Sequence, residues 1–164
     1  MSERVHNVLF VCTANSSRSI MAEGILNALG TGRFQAYSAG IHPRADVNPF
    51  ALERLRKWYI LDTGYRSKSW NEFSAPGAPA MDLIITLCDE AAAEPPPAWP
   101  GSPASVHWTI EDPVVVGGND EVRRQAFLNT ALALRRRIEL LLAVPIEGLD
   151  RLSLQQRLGE FDKT

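Results

Sequence analysis

A chain of 164 residues, 45% of them apolar, suits one compact domain with a single well-filled core, and no shift in composition marks a second. Charged residues make up 22% and the net charge is −2, which leaves no global attraction to nucleic acid or an anionic membrane, so any anion site has to be built locally. The polar start from Met1 to Asn7 and the short apolar run after it fit neither a secretory signal nor a membrane span; the expected compartment is the cytoplasm, where Cys12 and Cys88 are free thiols.

Residues 5–12 (Val-His-Asn-Val-Leu-Phe-Val-Cys) have no helical period and read as a strand buried on both faces, as parallel sheets require. From Ser19 to Leu29 the residues Ile20, Met21, Ile25, Leu26 and Leu29 recur at helical spacing, with Gly30 placed as the C-terminal cap. A strand near 33–39, a helix near 48–58, a third strand at 82–87 and a fourth near 106–110 follow. The intervening stretch 89–104 holds five prolines and reads as a stiff loop over one end of the sheet. A helix from about 119 to 143, with Leu132, Leu134, Ile138, Leu141 and Leu142 on or beside its apolar face, closes a domain of residues 1–143; Arg135, Arg136 and Arg137 read as part of its solvated face. Residues 144–164 read as a short amphipathic tail that packs or frays, a short helix or a partly disordered segment. This alternation predicts an α/β domain with a doubly wound, four-stranded parallel sheet flanked by helices.

The chemistry concentrates in Cys12-Thr13-Ala14-Asn15-Ser16-Ser17-Arg18-Ser19, between the first strand and the first helix. Open α/β sheets bind ligands at this carboxyl end of the strands. Five small or polar residues between Cys12 and Arg18 let successive amides point inward as a nest for a tetrahedral anion. The helix start adds its positive end, and Arg18 adds a planar fork that grips two anion oxygens. Both favour a thiolate at Cys12: an ordinary thiol with pKa about 8.5 needs roughly 4 kcal/mol of differential stabilisation to reach about 5.5. Ser19 is placed to donate to the sulfur, and Asn15 to take a left-handed backbone that braces the loop.

The run Val-Cys-Thr-Ala-Asn-Ser-Ser-Arg-Ser-Ile-Met-Ala-Glu-Gly resembles the signature of the low-molecular-weight protein tyrosine phosphatase superfamily, which includes thiol-linked arsenate reductases. Further similarities are Tyr37-Ser38-Ala39-Gly40, Val47-Asn48-Pro49, Ser67-Lys68-Ser69-Trp70, Leu87-Cys88-Asp89, Trp99-Pro100-Gly101, His107-Trp108 and Asp112-Pro113, spanning roughly residues 5–142. The resemblance implies a four-stranded parallel sheet and assigns Cys12 as nucleophile, Arg18 as oxyanion clamp and Asp112 as proton donor. On the reductase branch it also assigns Cys88 as the thiol that attacks Cys12 after arsenate has added, releasing arsenite and leaving a disulfide. Asn15, Glu23 and Ser38 resemble positions that hold potassium in some reductases; no other metal and no bound cofactor is implied.

Two departures bear on the reaction. Reductases with three cysteines carry one more at a position aligning with Pro96, and Ser17 stands where many members have a cysteine. On the reductase branch the resemblance then implies that Cys12 and Cys88 pair directly and are reset by an external thiol such as thioredoxin, glutaredoxin or glutathione. Phosphatases of the group wall their cleft with tyrosines after the Asp-Pro; Val114, Val115 and Val116 stand here, leaving Phe50 or Trp99 as walls. A small inorganic oxyanion, arsenate or a phosphate or sulfate mimic, suits that cleft better than a phenyl ester. The favoured reading is an arsenate reductase, ahead of a phosphatase hydrolysing monoesters through a Cys12 phosphocysteine, with a non-catalytic oxyanion or phosphoprotein sensor third. His6, His42 and His107 lack metal-site spacing and read as structural.

Overall fold

The computed structural model describes residues 4–163. Strand β1 (His6–Cys12) lies between β2 (Phe34–Gly40) and β3 (Leu83–Thr86), and β4 (Ala104–His107) forms the far edge, giving the order β2-β1-β3-β4 with every neighbouring pair parallel. Helices α1 (Arg18–Leu29), α2 (Pro49–Lys57) and α4 (Asp120–Leu142) pack on one another, the short α3 (Asp89–Ala93) follows β3, and α5 (Arg151–Gly159) lies against β4. From Val8 to Val11 every residue of β1 is fully buried, which is why its sequence is a continuous apolar run rather than an alternating one. The chain leaves β1 for β2 on one side and returns to β3 on the other, so the sheet's switch point lies at the carboxyl ends of β1 and β3. Cys12 ends the first of these strands and Cys88 follows the second within two residues.

Several expectations shift in detail. The fourth strand, expected near 106–110, pairs over 104–107; Trp108 and Ile110 carry the buried pattern of a strand but keep only single backbone bonds, to Thr86 O (2.9 Å) and Leu87 O (3.1 Å). The proline-rich stretch is not loop throughout, because Asp89 and Glu90 at the start of a small alanine run favour the first turn of α3 before the prolines begin. Gly30 caps α1 with φ −103°, outside the left-handed region; a side chain there would meet Leu26 O at 2.9 Å, so glycine serves close approach and not a positive φ.

Helix α4 buries Leu134, Ile138 and Leu141 but leaves Leu132 half exposed. Arg137 departs from the solvated face expected of it: it is 9% exposed and its guanidinium faces Asp162 at 3.7 Å. The segment expected as a tail forms α5 and a final turn, with Leu154 and Leu158 buried. No helix among the described residues is long and apolar enough to cross a membrane.

Candidate active site

Backbone hydrogen bonds shape the loop between β1 and α1. The carbonyls of Cys12, Thr13, Ala14 and Ser16 accept from the amides of Ile41, His42, Arg44 and Asn48 at 3.1, 2.8, 3.1 and 2.9 Å, so segment 41–48 laces the loop along its outer side. Turning these oxygens outward directs amides inward, and the backbone N–H groups of Asn15 and Ser19 both stabilise ionised Cys12. Asn15 takes φ 50°, a conformation that asparagine tolerates better than most residues. No side chain caps the first turn of α1, which leaves its amides to a ligand.

The sequence-identified residues converge. Cys12 Sγ lies 2.9 Å from Ser19 Oγ, which in turn accepts from Asn15 Nδ2 at 2.7 Å. Arg18, the first residue of α1, donates from Nη1 to Ile110 O (3.2 Å) and sets Nη2 3.5 Å from Asp112 Oδ2. That single side chain joins the oxyanion loop to the segment after β4. Asp112 also accepts from Val114 N at 3.0 Å, closing the turn that Pro113 begins. Cys88 Sγ is 3.2 Å from Thr13 Oγ1, beside the nucleophile's loop.

Electrostatics correct one expectation. Cys12 is 2% exposed, and burial pushes its thiol above the ordinary value; the Ser19 hydroxyl, the Arg18 charge and the two loop amides pull it down without reversing that direction. Burial costs the thiolate more than these four partners return.

Two further expectations are redrawn. Lys68 Nζ lies 3.5 Å from Asn15 Oδ1 and its charge acts on Glu23, while Ser38 Oγ donates to Glu23 Oε1 at 2.5 Å. Asn15 Oδ1 and Glu23 Oε1 thus accept from protein donors, Ser38 Oγ is itself a donor, and the positive charge in this corner is a lysine. Burial pushes the Lys68 pKa down, with Glu23 and Cys12 opposing. Among the described residues no group of three or more His, Cys, Asp or Glu is arranged to hold a metal. Of the two expected aromatic walls, Phe50 packs on Phe127 (5.5 Å between ring centroids) and Trp99 on Trp70 (5.9 Å). Val114 instead faces Ser16, Asn48 and Pro49 across a cavity of about 270 Å³.

Sequence reasoning missed Lys68 as part of the site, the 41–48 lacing and the role of Gly40. A Cβ on Gly40 would sit 2.7 Å from Thr13 O and 3.0 Å from the Ala14 carbonyl carbon. A glycine ending a strand that pairs with the strand before an anion loop was the available signal.

Comparison with known proteins places this geometry. An arsenate reductase of Halalkalibacterium halodurans is 33% identical over 132 residues, covering 80% of this chain and 91% of that protein. A glutaredoxin arsenate reductase of Synechocystis is 31% identical over 136 residues, covering 83% and 95%. A solved arsenate reductase in the phosphate binding state superposes with TM-score 0.65 at 31% identity, over 84% of this chain and 97% of that one. The family model for low molecular weight phosphotyrosine protein phosphatase matches residues 7–151, and the chain belongs to that family.

Proposed function

We propose that this protein is a thiol-dependent arsenate reductase in which Cys12 attacks arsenate held by the loop from Thr13 to Ser19 and by Arg18, Asp112 is the proton donor, and Cys88 resolves the adduct. The observation that carries the reading is the second thiol at the loop, Cys88 Sγ at 3.2 Å from Thr13 Oγ1, which phosphoryl transfer does not require and reduction of arsenic does.

The steps balance without another metal or cofactor. Hydrogen arsenate adds to the Cys12 thiol, the S–As bond forms, and one oxygen leaves as water after taking a proton through Asp112. The thiol proton passes to the incoming dianion as Cys12 attacks as the thiolate, and Arg18 and the inward amides neutralise the dianion's charge. Cys88 then attacks Cys12 Sγ: the S–S bond forms, the S–As bond breaks with its electron pair going to arsenic, and arsenite departs. Arsenic gains two electrons and the two thiols lose them. With only two cysteines in the chain, an external thiol restores the dithiol. A glutaredoxin- or thioredoxin-type protein or glutathione supplies that chemistry, and the name of the Synechocystis relative favours the first.

A phosphatase reading has its own support, since Cys12, Arg18 and Asp112 form a complete set for phosphoryl transfer without Cys88. Mass spectrometry after arsenate is supplied and withdrawn separates the two. The reductase reading expects a loss of two hydrogens joining the Cys12 and Cys88 peptides, and intact thiols in protein that hydrolyses an aryl phosphate would sink it.

A further inference from the structure

We propose that Asp162, on the turn after α5, is a positioning residue for Asp112. The inference rests on the reading of Asp112 as proton donor, and it starts from how the stretch leading to that residue is held.

Each residue from Trp108 to Asp112 has its own anchor. Trp108 Nε1 donates to Leu158 O (2.9 Å) and Thr109 N to Asp162 Oδ1 (2.5 Å). Ile110 O accepts from Arg18 and Glu111 O from Thr130 Oγ1 (3.4 Å), and Asp112 meets Arg18. Two of the five anchors come from residues beyond 151, where the family match ends. The C-terminal segment of this chain therefore supplies part of the frame of a site otherwise built from the matched region.

Asp162 is the anchor nearest the chemistry on that side. Its carboxylate takes the Thr109 amide, lies 3.4 Å from the Thr109 hydroxyl, and faces Arg137 Nη2 at 3.7 Å. Arg137 is buried in α4, so the carboxylate has a fixed cation behind it and the Thr109 backbone in front. The same segment covers the free edge of β4, where Ser105 N donates to Gln155 Oε1 at 2.9 Å. Edge amides left unpaired invite strand addition, so α5 both protects the edge and sets the path of the chain as it leaves the sheet. Thr109 stands three residues before Asp112, with Ile110 and its Arg18 contact between them; displacement at Thr109 is passed to both groups that face the oxyanion loop.

The test compares Asp162→Ala, Asp162→Asn and Asp112→Asn in the full-length protein. It reads the single-turnover rate of arsenate-driven Cys12–Cys88 disulfide formation, the phosphate inhibition constant and thermal melting. A positioning role expects Asp162→Ala to slow the single turnover by at least about tenfold, a fraction of the roughly 10²–10⁴ that a general acid is worth. Phosphate binding and cooperative melting are retained. Asp162→Asn, whose amide oxygen still accepts from Thr109, recovers most of the rate. A normal rate in Asp162→Ala beside a slow Asp112→Asn overturns the proposal, as does joint loss of rate, phosphate binding and melting, which would make Asp162 a general stabiliser. An unimpaired Asp112→Asn would instead remove the proton-donor assignment itself.

Discussion

The hydroxyl of Thr13 lies 3.2 Å from the sulfur of Cys88, so the second thiol is tied to the residue next to the nucleophile and not to the nucleophile itself. Strands β1 and β3 remain paired up to this point, with Leu87 N donating to Val11 O at 2.8 Å. In that register Val11 stands opposite Thr86, so Cys12 and Cys88 leave neighbouring strands at the same end of the sheet. The side chains are turned elsewhere, Cys12 toward Ser19 and Cys88 toward Thr13. Cys88 precedes a helix of five residues, too short to be stable without its tertiary contacts.

Cys88→Ser replaces the thiol by a hydroxyl that keeps the Thr13 contact. It should stop arsenate reduction while leaving hydrolysis of p-nitrophenyl phosphate at the wild-type rate. Parallel loss of both activities would show that the residue shapes the loop and takes no part in resolving an adduct.

The protonation of Cys12 has a stability consequence with a definite sign. Its folded pKa is raised above the ordinary thiol value, so between the two values the folded protein binds a proton that the unfolded chain has lost. Stability from this group is fully present below the ordinary thiol value and declines as pH climbs through the folded one. Melting temperature should therefore fall more steeply above pH 9 in wild-type protein than in Cys12→Ser. Ser19→Ala removes the largest influence that lowers this pKa; at neutral pH iodoacetamide should then alkylate Cys12 about tenfold more slowly, as expected for loss of one hydrogen bond to a charged group worth roughly 1.5 kcal/mol. An unchanged alkylation rate would remove the hydroxyl from the account.

The loop and its arginine were legible in the sequence because the chemistry is local: strand, small polar residues, arginine and helix follow one another without interruption. Asp112 was legible through resemblance, and the distance from Arg18 to it belongs to the fold. What escaped the sequence came from long-range pairing. Lys68 reaches Asn15 across 53 positions, and Asp162 reaches Thr109 across the same separation. No periodicity announces either. The burial that raises the Cys12 pKa escaped for the same reason, since it depends on what packs over the strand end and not on the loop's own composition.

Gly40 offers a test of the cradle without touching any reacting group. A methyl at this position would press on backbone atoms of Thr13 and Ala14, which have no rotamer to yield. Overpacking of this kind costs roughly 1–3 kcal/mol. Gly40→Ala should keep the fold, as judged by circular dichroism, yet weaken phosphate inhibition and slow turnover by about tenfold or more, the equivalent of some 1.4 kcal/mol. Wild-type phosphate affinity in this variant would show that the loop adjusts freely and is not held against β2.

Lys68 carries the last prediction. Its ammonium sits against Asn15 Oδ1 and donates to Arg66 O at 2.9 Å, and its charge opposes the burial that raises the Glu23 pKa. A fixed internal cation makes a bound monovalent ion redundant at this corner, so turnover in wild-type protein should not change when choline chloride is replaced by potassium chloride at constant ionic strength. Lys68→Ser removes the charge and opens room beside three oxygens, those of Asn15, Glu23 and Ser38. Its activity should drop in choline and recover in part with potassium, because the Asn15 side chain that positions Ser19, and through it Cys12, regains a cation to brace against. Potassium stimulation of the wild-type enzyme would show that the lysine does not fill this role.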